Sequence, residues 1–386
     1  MRKHPSLFWF VCAVKFFISF ALSAFAEVKL PAIFSDHMVL EGGEHVPVWG
    51  WAKPEEKVTV EISGQKLATK ADAKGDWRVQ LEPLTSGEQL TLTVRGENSI
   101  VVNDVLAGEV WLGSGQSNMR LEVSRANNFE AEKAAANFPK IRMFTVAKKA
   151  IMTPTNDCVG HWVICDSNTV GAFSAALYFF GRELHQQLKA PVGLINSSFG
   201  GTYIQSWMSM DAQKRDKALQ PFVNNFEKSI ATPFDETAAD AELKKAMAEW
   251  QIHAAKNKAE GKGEPRKPVK RTDPRMDQNS PANLFNGMIA PLIPYRIKGV
   301  VWYQGEQNAG SQATALADLY RIQLPTLIHD WRVRWNEGDL PFAWVQLPGI
   351  GKRPDGFQTE SGFELVREGM LETLSLPATG MAVAIE

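Results

Sequence analysis

Cysteine is scarce. Three residues in 386 are too few for a disulfide-stapled scaffold. Surplus positive charge is missing too: 42 Lys and Arg face 43 Asp and Glu, for a net charge of -1. A nucleic-acid binder needs a basic excess to release counterions, so that class is excluded. After the first 26 residues no segment approaches 18 consecutive apolar residues, so no stable membrane association is expected of the mature chain. No G-x-x-x-x-G-K-[ST] run occurs, which removes the P-loop class. What is present is ordinary: 44% hydrophobic and 22% charged residues, a globular composition that rules out wholesale disorder. The length suits two or three domains.

The chain opens with Arg2, Lys3 and His4, followed by an apolar run from Leu7 to Phe25 that Lys15 interrupts. Ala24 and Ala26 stand in an A-x-A arrangement at its end. This layout predicts a secretory signal peptide over residues 1–26, cleaved after Ala26, and an exported protein, periplasmic or extracellular. Lys15 breaks the run below the roughly 20 residues a transmembrane anchor needs. Cleavage removes three cations and no acid, leaving a net charge of -4. It leaves Cys158 and Cys165 in DCVGHWVICD, which reads either as a tight hairpin with a disulfide or as two buried thiols. With His161 they supply three ligands and no fourth, which does not make a zinc site.

From Glu27 to Leu106 short alternating runs follow one another: Val46–Trp51, Val58–Ile62, Trp77–Leu81 and Leu90–Val94. Turn residues such as Gly42-Gly43, Ser63-Gly64 and Lys74-Gly75-Asp76 separate them. This predicts a small N-terminal β-sandwich over 27–106. Strand-like runs then appear at Glu109–Leu112, Val192–Ile195, Gly299–Tyr303 and Phe342–Leu347, with helix-like stretches at Phe173–Leu188 and Leu316–Trp335 between them. Such alternation predicts an α/β domain with a mainly parallel sheet over 107–386. An insertion occupies about 211–280: Ala238–Lys258 favours a helix, and Gly261–Pro274, basic and rich in proline, reads as a solvated loop rather than a partner-binding patch.

Three strand-to-turn junctions carry the candidate chemistry. The first, Val110–Met119, fits neither G-x-G-x-x-G, because its sixth position is Asn118, nor the G-x-S-x-G elbow, because Met119 replaces the last glycine. It still places Ser117 after a strand and a glycine turn, at the sheet edge where open α/β proteins bind ligands. On spacing alone, Ser117 reads better as a plain N-cap. The second, Gly193–Thr202, and the third, Val300–Asn308, also put glycines and side-chain amides directly after strands. Such neutral N–H donors are what a tetrahedral intermediate needs around its oxygen.

GSGQSNM, INSSFGGT and WYQGEQN, in this order, resemble the sialate O-acetylesterase family of the SGNH (GDSL-like) hydrolase superfamily. KLPAIFSDHMVL, VPVWGWAKP, FSAALYFFGRELH and NLFNGMIAPLIPYRIKGVVWYQGEQNA extend the resemblance over nearly the whole mature chain. It implies a three-layer SGNH-hydrolase-like domain and a serine esterase that removes O-acetyl groups from sialic acid or other sugars. Ser117 matches the nucleophile. The Ser117 amide, an amide of Gly200 or Gly201, and the Gln304 side chain match the oxyanion hole, while Gln116, Asn118, Glu306 and Asn308 match supporting positions. No metal or cofactor is implied. The expected partner is an acetylated carbohydrate.

Two departures stand out. The family usually has Glu-Ala-Trp after the second block, where this chain has Gln205-Ser206-Trp207, an exchange expected to alter substrate hydrogen bonding. The family also supplies the base and its orienting acid from one Asp-x-x-His loop after a strand resembling Thr379–Ile385, and no Asp-x-x-His occurs in these 386 residues. His37, His45, His161, His185, His253 and His329 each read as structural or surface residues. The expectation is a C-terminally truncated esterase, retaining at most the roughly 10³–10⁴-fold catalysis over water that oxyanion donors and binding provide. An acetyl-xylan-type esterase and a non-catalytic glycan-binding protein, with eleven mature Trp residues as stacking faces, are the alternatives.

Overall fold

A computed structural model describes residues 27–310, 314–349 and 361–384. The expected signal peptide lies outside the described residues. Seven strands come first: β1 (Val39–Glu41), β2 (Val46–Trp51), β3 (Lys57–Ile62), β4 (Gln65–Lys70), β5 (Asp76–Leu81), β6 (Gln89–Arg95) and β7 (Ser99–Gly115). β2 and β5 form an antiparallel two-stranded ribbon, while β4, β3, β6 and β7 pair antiparallel in sequence and β1 runs parallel beside β7. The apolar side chains alternate as a half-buried strand requires: Trp77, Val79 and Leu81 of β5 are buried, and the residues between them are exposed.

β7 is the spine of the molecule. Its 17 residues run straight through the expected boundary at residue 106. The first half pairs with β6 and the second half becomes a central strand of a parallel sheet. The helices α1 (Ser117–Arg120) and α2 (Phe129–Ala135) follow it, then β8 (Asn137–Thr145), β9 (Trp162–Asp166), α3 (Ala175–Leu188) and β10 (Val192–Ser198). Next come α4 (Met210–Arg215), α5 (Gln220–Ile230) and α6 (Glu236–Ala259), then β11 (Gly299–Tyr303), α7 (Glu306–Ala309), α8 (Thr314–Asp318) and α9 (Tyr320–Trp335). β12 (Phe342–Gln346), α10 (Gly362–Glu372) and β13 (Thr379–Val383) complete the order. The sheet reads β13-β12-β11-β7-β10-β8-β9, parallel except for β9. β10 is buried at every position, as a strand covered on both faces must be.

One apolar core spans both regions, and a second lies under α3. Tyr295 ties the regions together: its hydroxyl donates to the Val39 carbonyl at 2.6 Å, and its ring packs against Phe34, Trp49 and Trp162. Arg142 of β8, buried, makes a two-pronged pair with Asp104 of β7. Of the two readings of Cys158–Cys165, the structure has the two buried thiols and not the hairpin. Trp162–Asp166 pairs with β8 instead, which leaves Cys158 in the preceding loop. Both cysteines are buried free thiols, and burial pushes each pKa up to about 12. Among the described residues no helix is long and apolar enough to cross a membrane.

Candidate active site

The register of the parallel sheet brings the three junctions together. Gly115 of β7 is paired with Ser198 of β10 on one side and with Tyr303 of β11 on the other. The chain leaves all three strands at the same level, through Gln116-Ser117, Phe199-Gly200-Gly201 and Gln304-Gly305-Glu306. The Gln116 N–H donates to Tyr303 O at 2.9 Å and the Phe199 N–H to Gly115 O at 3.0 Å, so the sheet holds each turn at its root.

Gly115 is where the geometry demands glycine. Its φ is +132°, and a Cβ there would lie 2.2 Å from Tyr303 O. The turn throws Ser117 to the start of α1, where it is exposed while Gln116 behind it is buried. As the first helical residue, Ser117 has an amide with no carbonyl one turn earlier to receive it. Gly200 lies against it: a Cβ on Gly200 would stand 3.6 Å from the Ser117 Cβ. Gly201 has φ +70° and faces open space. Among the described residues neither the Gly200 nor the Gly201 amide donates to a protein acceptor. The sequence leaves the two glycines equivalent; proximity to Ser117 favours Gly200.

Gln304 is fully buried, and its nitrogen is engaged by Thr202 O at 2.8 Å, Asn308 Oδ1 at 2.8 Å and Gln116 Oε1 at 3.2 Å. Its carbonyl oxygens, main-chain and side-chain, accept from the Tyr320 hydroxyl at 2.9 and 3.0 Å. An NH2 group has two hydrogens, so in this arrangement Gln304 braces the turns rather than offering a free donor. Gln116 Oε1 also faces the amides of Gly305 at 3.4 Å and Gln307 at 3.3 Å. Asn308 Oδ1 accepts from the Ile204 N–H, and its Nδ2 donates to Gln323. Asn118 donates to Glu306 Oε1. Among the described residues the other Glu306 oxygen is buried without a partner, and burial raises the Glu306 pKa against the pull of its own amide and of Asn118. Ser117, Gln116, Asn118, Gly200, Gly201, Gln304, Glu306 and Asn308 therefore converge in one place.

Other sequence candidates lie elsewhere. Gln205 is buried behind the site, with its Oε1 3.4 Å from Gln323 Nε2, so the exchange from Glu touches the supporting network. His37 pairs with Asp104, His45 faces Leu81 O, and His185 bonds Ala190 O. His161, His253 and His329 are exposed. None of these six hydrogen-bonds to a site residue. Asp330, beside His329, faces inward onto Ser209. Among the described residues no group of three or more His, Cys, Asp or Glu is placed to hold a metal.

Thr202, Tyr320 and Gln323 belong to the site's frame and carry no local motif that would single them out. The basic loop of the insertion is a larger surprise. Arg266, Lys270 and Arg271 line a cavity of about 860 Å³ together with Lys148, Gly200 and Gln307, so the loop forms a wall beside the site. Lys148 lies 4.9 Å above the Phe199 ring; burial and the nearby Arg120 charge lower its pKa. Lys148, Lys149, Arg266 and Arg120 have no ion-pair partner among the described residues, whereas acids of α6 pair with Lys270 and Arg271.

A serine on a glycine turn, flanked at the carboxyl edge of a parallel sheet by amides without a protein acceptor among the described residues, has the groups that the acyl-transfer class of site requires. Comparison with known proteins agrees with that class. A family model described as carbohydrate esterase, sialic acid-specific acetylesterase, matches residues 107–239 and 278–385, and its gap falls on the insertion. The mouse sialate O-acetylesterase is 30% identical over 398 residues, 94% of this chain and 69% of that one; the human protein is 30% identical over 375 residues, 88% and 61%. A carbohydrate acetylesterase from Xanthomonas citri, solved by crystallography, superimposes with a TM-score of 0.72 at 32% identity, over 92% of this chain and 68% of that one. The chain belongs to the sialic acid-specific acetylesterase family of carbohydrate esterases. It spans between 61% and 69% of the length of these relatives.

Proposed function

We propose that this protein is an exported serine esterase that removes O-acetyl groups from sugars, with acetylated sialic acid as its substrate. One observation carries the reading: the sheet register sets Ser117, its amide and Gly200 at a single point beside an open cavity. Ser117 Oγ attacks the acetyl carbonyl, and the carbonyl oxygen, now negative, is received by the amides of Ser117 and Gly200. Collapse breaks the bond to the sugar oxygen, which leaves as the sugar hydroxyl after taking up the serine's proton by way of solvent, and acetyl-Ser117 remains. Water then releases acetate and restores the hydroxyl. Gln116, Gln304 and Asn308 hold the turns that present these groups, and the Asn118–Glu306 contact fixes α1 against α7.

The serine proton needs an acceptor, and no described histidine reaches it. The unpaired cations Lys148, Lys149 and Arg266 favour an acidic sugar over a neutral one, because a sugar carboxylate entering the cavity meets uncompensated positive charge. Acetate release from O-acetylated sialic acid and from acetylated xylan tests the choice. A higher kcat/KM on the sialic acid, falling with added salt, is expected; preference for xylan would overturn the substrate assignment.

A further inference from the structure

The β2–β5 ribbon leaves a feature that the reaction does not use. Cross-strand pairing sets Trp49 opposite Arg78, Gly50 opposite Trp77 and Trp51 opposite Asp76. By strand alternation, Trp49, Trp51, Asp76 and Arg78 share one face, while Val46, Val48, Trp77 and Val79 fill the other, which is buried. Two indoles about 7 Å apart along a strand thus stand half-buried on one face of the ribbon. They line a cleft of about 530 Å³ whose far wall is Pro154 and Ile293. The cleft shares no residue with the cavity beside Ser117.

Core packing accounts for only part of this. Trp49 touches Phe34 edge-on at 4.7 Å and Tyr295 edge-on at 6.4 Å between ring centres, so its ring is partly claimed by the core. Neither the Asp76 carboxylate nor the Arg78 guanidinium has a side-chain partner among the described residues. The wall therefore combines flat apolar faces with an unmet acceptor and unmet donors, in a volume suited to a small ligand.

We propose that this face is a second glycan-binding site, taking a pyranose ring against Trp51 and Trp49 with its hydroxyls on Asp76 and Arg78. The axial C–H groups of a pyranose make a flat apolar surface that matches an indole. Its hydroxyls both donate and accept, so they satisfy a carboxylate and a guanidinium at once. A proline-rich peptide, the other common ligand of aromatic grooves, offers carbonyls and leaves Asp76 unmet. Holding a glycan here raises its effective concentration at Ser117 on the same chain.

The test uses the full chain carrying Ser117→Ala, so that binding is read without turnover, and does not depend on the esterase assignment. Xylohexaose, sialyllactose and a proline-rich decapeptide are titrated by calorimetry. The expected result is binding of an oligosaccharide that weakens at least tenfold in Trp51→Ala and several-fold in Asp76→Asn. Hydrolysis of a small acetyl ester by the Ser117 enzyme stays the same in Trp51→Ala. Should Trp51→Ala fail to fold, the exposed positions decide, through Asp76→Asn and Arg78→Met. Absence of oligosaccharide binding at millimolar concentration, binding indifferent to these changes, or Trp51-dependent binding of the peptide alone would each overturn the proposal.

Discussion

Replacing Glu41 by Gln tests how the β-rich region is fastened to the strand that ends at the site. Glu41 lies on β1, where it pairs with β7, and is 2% exposed. One carboxyl oxygen accepts the Val110 N–H at 2.8 Å and the other lies 3.9 Å from Lys298 Nζ. Burial pushes its pKa from 4.5 up to about 8; Val110 and Lys298 pull it down, while Glu109 and Glu337 push it further up. Tyr295 faces the same group. Below pH 4.5 the carboxyl is protonated in both states. As pH rises towards 8, the unfolded chain gives up the proton that the folded chain still holds, so stability is lost across that window. At about 1.4 kcal/mol per pH unit the full loss is on the order of 5 kcal/mol, an upper bound. Gln stays neutral and keeps an oxygen for Val110. Urea midpoints of both proteins at pH 5, 7 and 9 read the difference. The variant gains on the wild type by several kcal/mol between pH 5 and 9, and Glu337, raised to about 7 by burial in both proteins, largely cancels. A difference constant to within about 0.5 kcal/mol across that range would refute the assignment of a buried, resistant carboxyl.

Three further outcomes follow from the site. Gly115→Ala meets both a positive φ and the Tyr303 carbonyl, so a loss of at least 2–3 kcal/mol in stability (roughly) and of acetyl-ester hydrolysis is expected in parallel by denaturation and rate assays. Lys148→Gln is expected to raise KM for acetylated sialic acid about tenfold, the equivalent of about 1.4 kcal/mol, and to leave KM for a neutral acetyl ester unchanged. Exogenous imidazole should accelerate acetyl-ester hydrolysis by the 386-residue chain in proportion to its concentration, because the added base takes the Ser117 proton; a rate indifferent to imidazole would show that a residue of the chain already does so.

Much of this architecture is legible in the residues. Period-two alternation reveals β2, β3, β5 and β6, and continuous apolar runs reveal the parallel strands. β7 hides its continuity because it changes pattern halfway: its first half is covered on one side and its second half on both. The turns at Gly115 and Gly305 are visible as glycine after a strand, but their coincidence at one level depends on sheet register, a property of pairing between distant segments. Tyr320 and Gln323 are invisible as site residues because α9 brings them in from the back of the sheet. The basic loop reads as solvated since charge and proline describe it locally, and only the tertiary path sets it against Gly200. The same limit explains Cys158–Cys165, where local turn composition suggests a hairpin but β8 supplies the pairing partner.

The central claim is that acetyl transfer passes through Ser117. The direct measurement is mass spectrometry of the chain after brief exposure to an activated acetyl ester, followed by peptide mapping, with Ser117→Ala beside it. The account predicts an acetyl increment confined to the peptide containing Ser117 and absent from the variant. An unmodified Ser117 peptide alongside acetate release that persists in Ser117→Ala would contradict it.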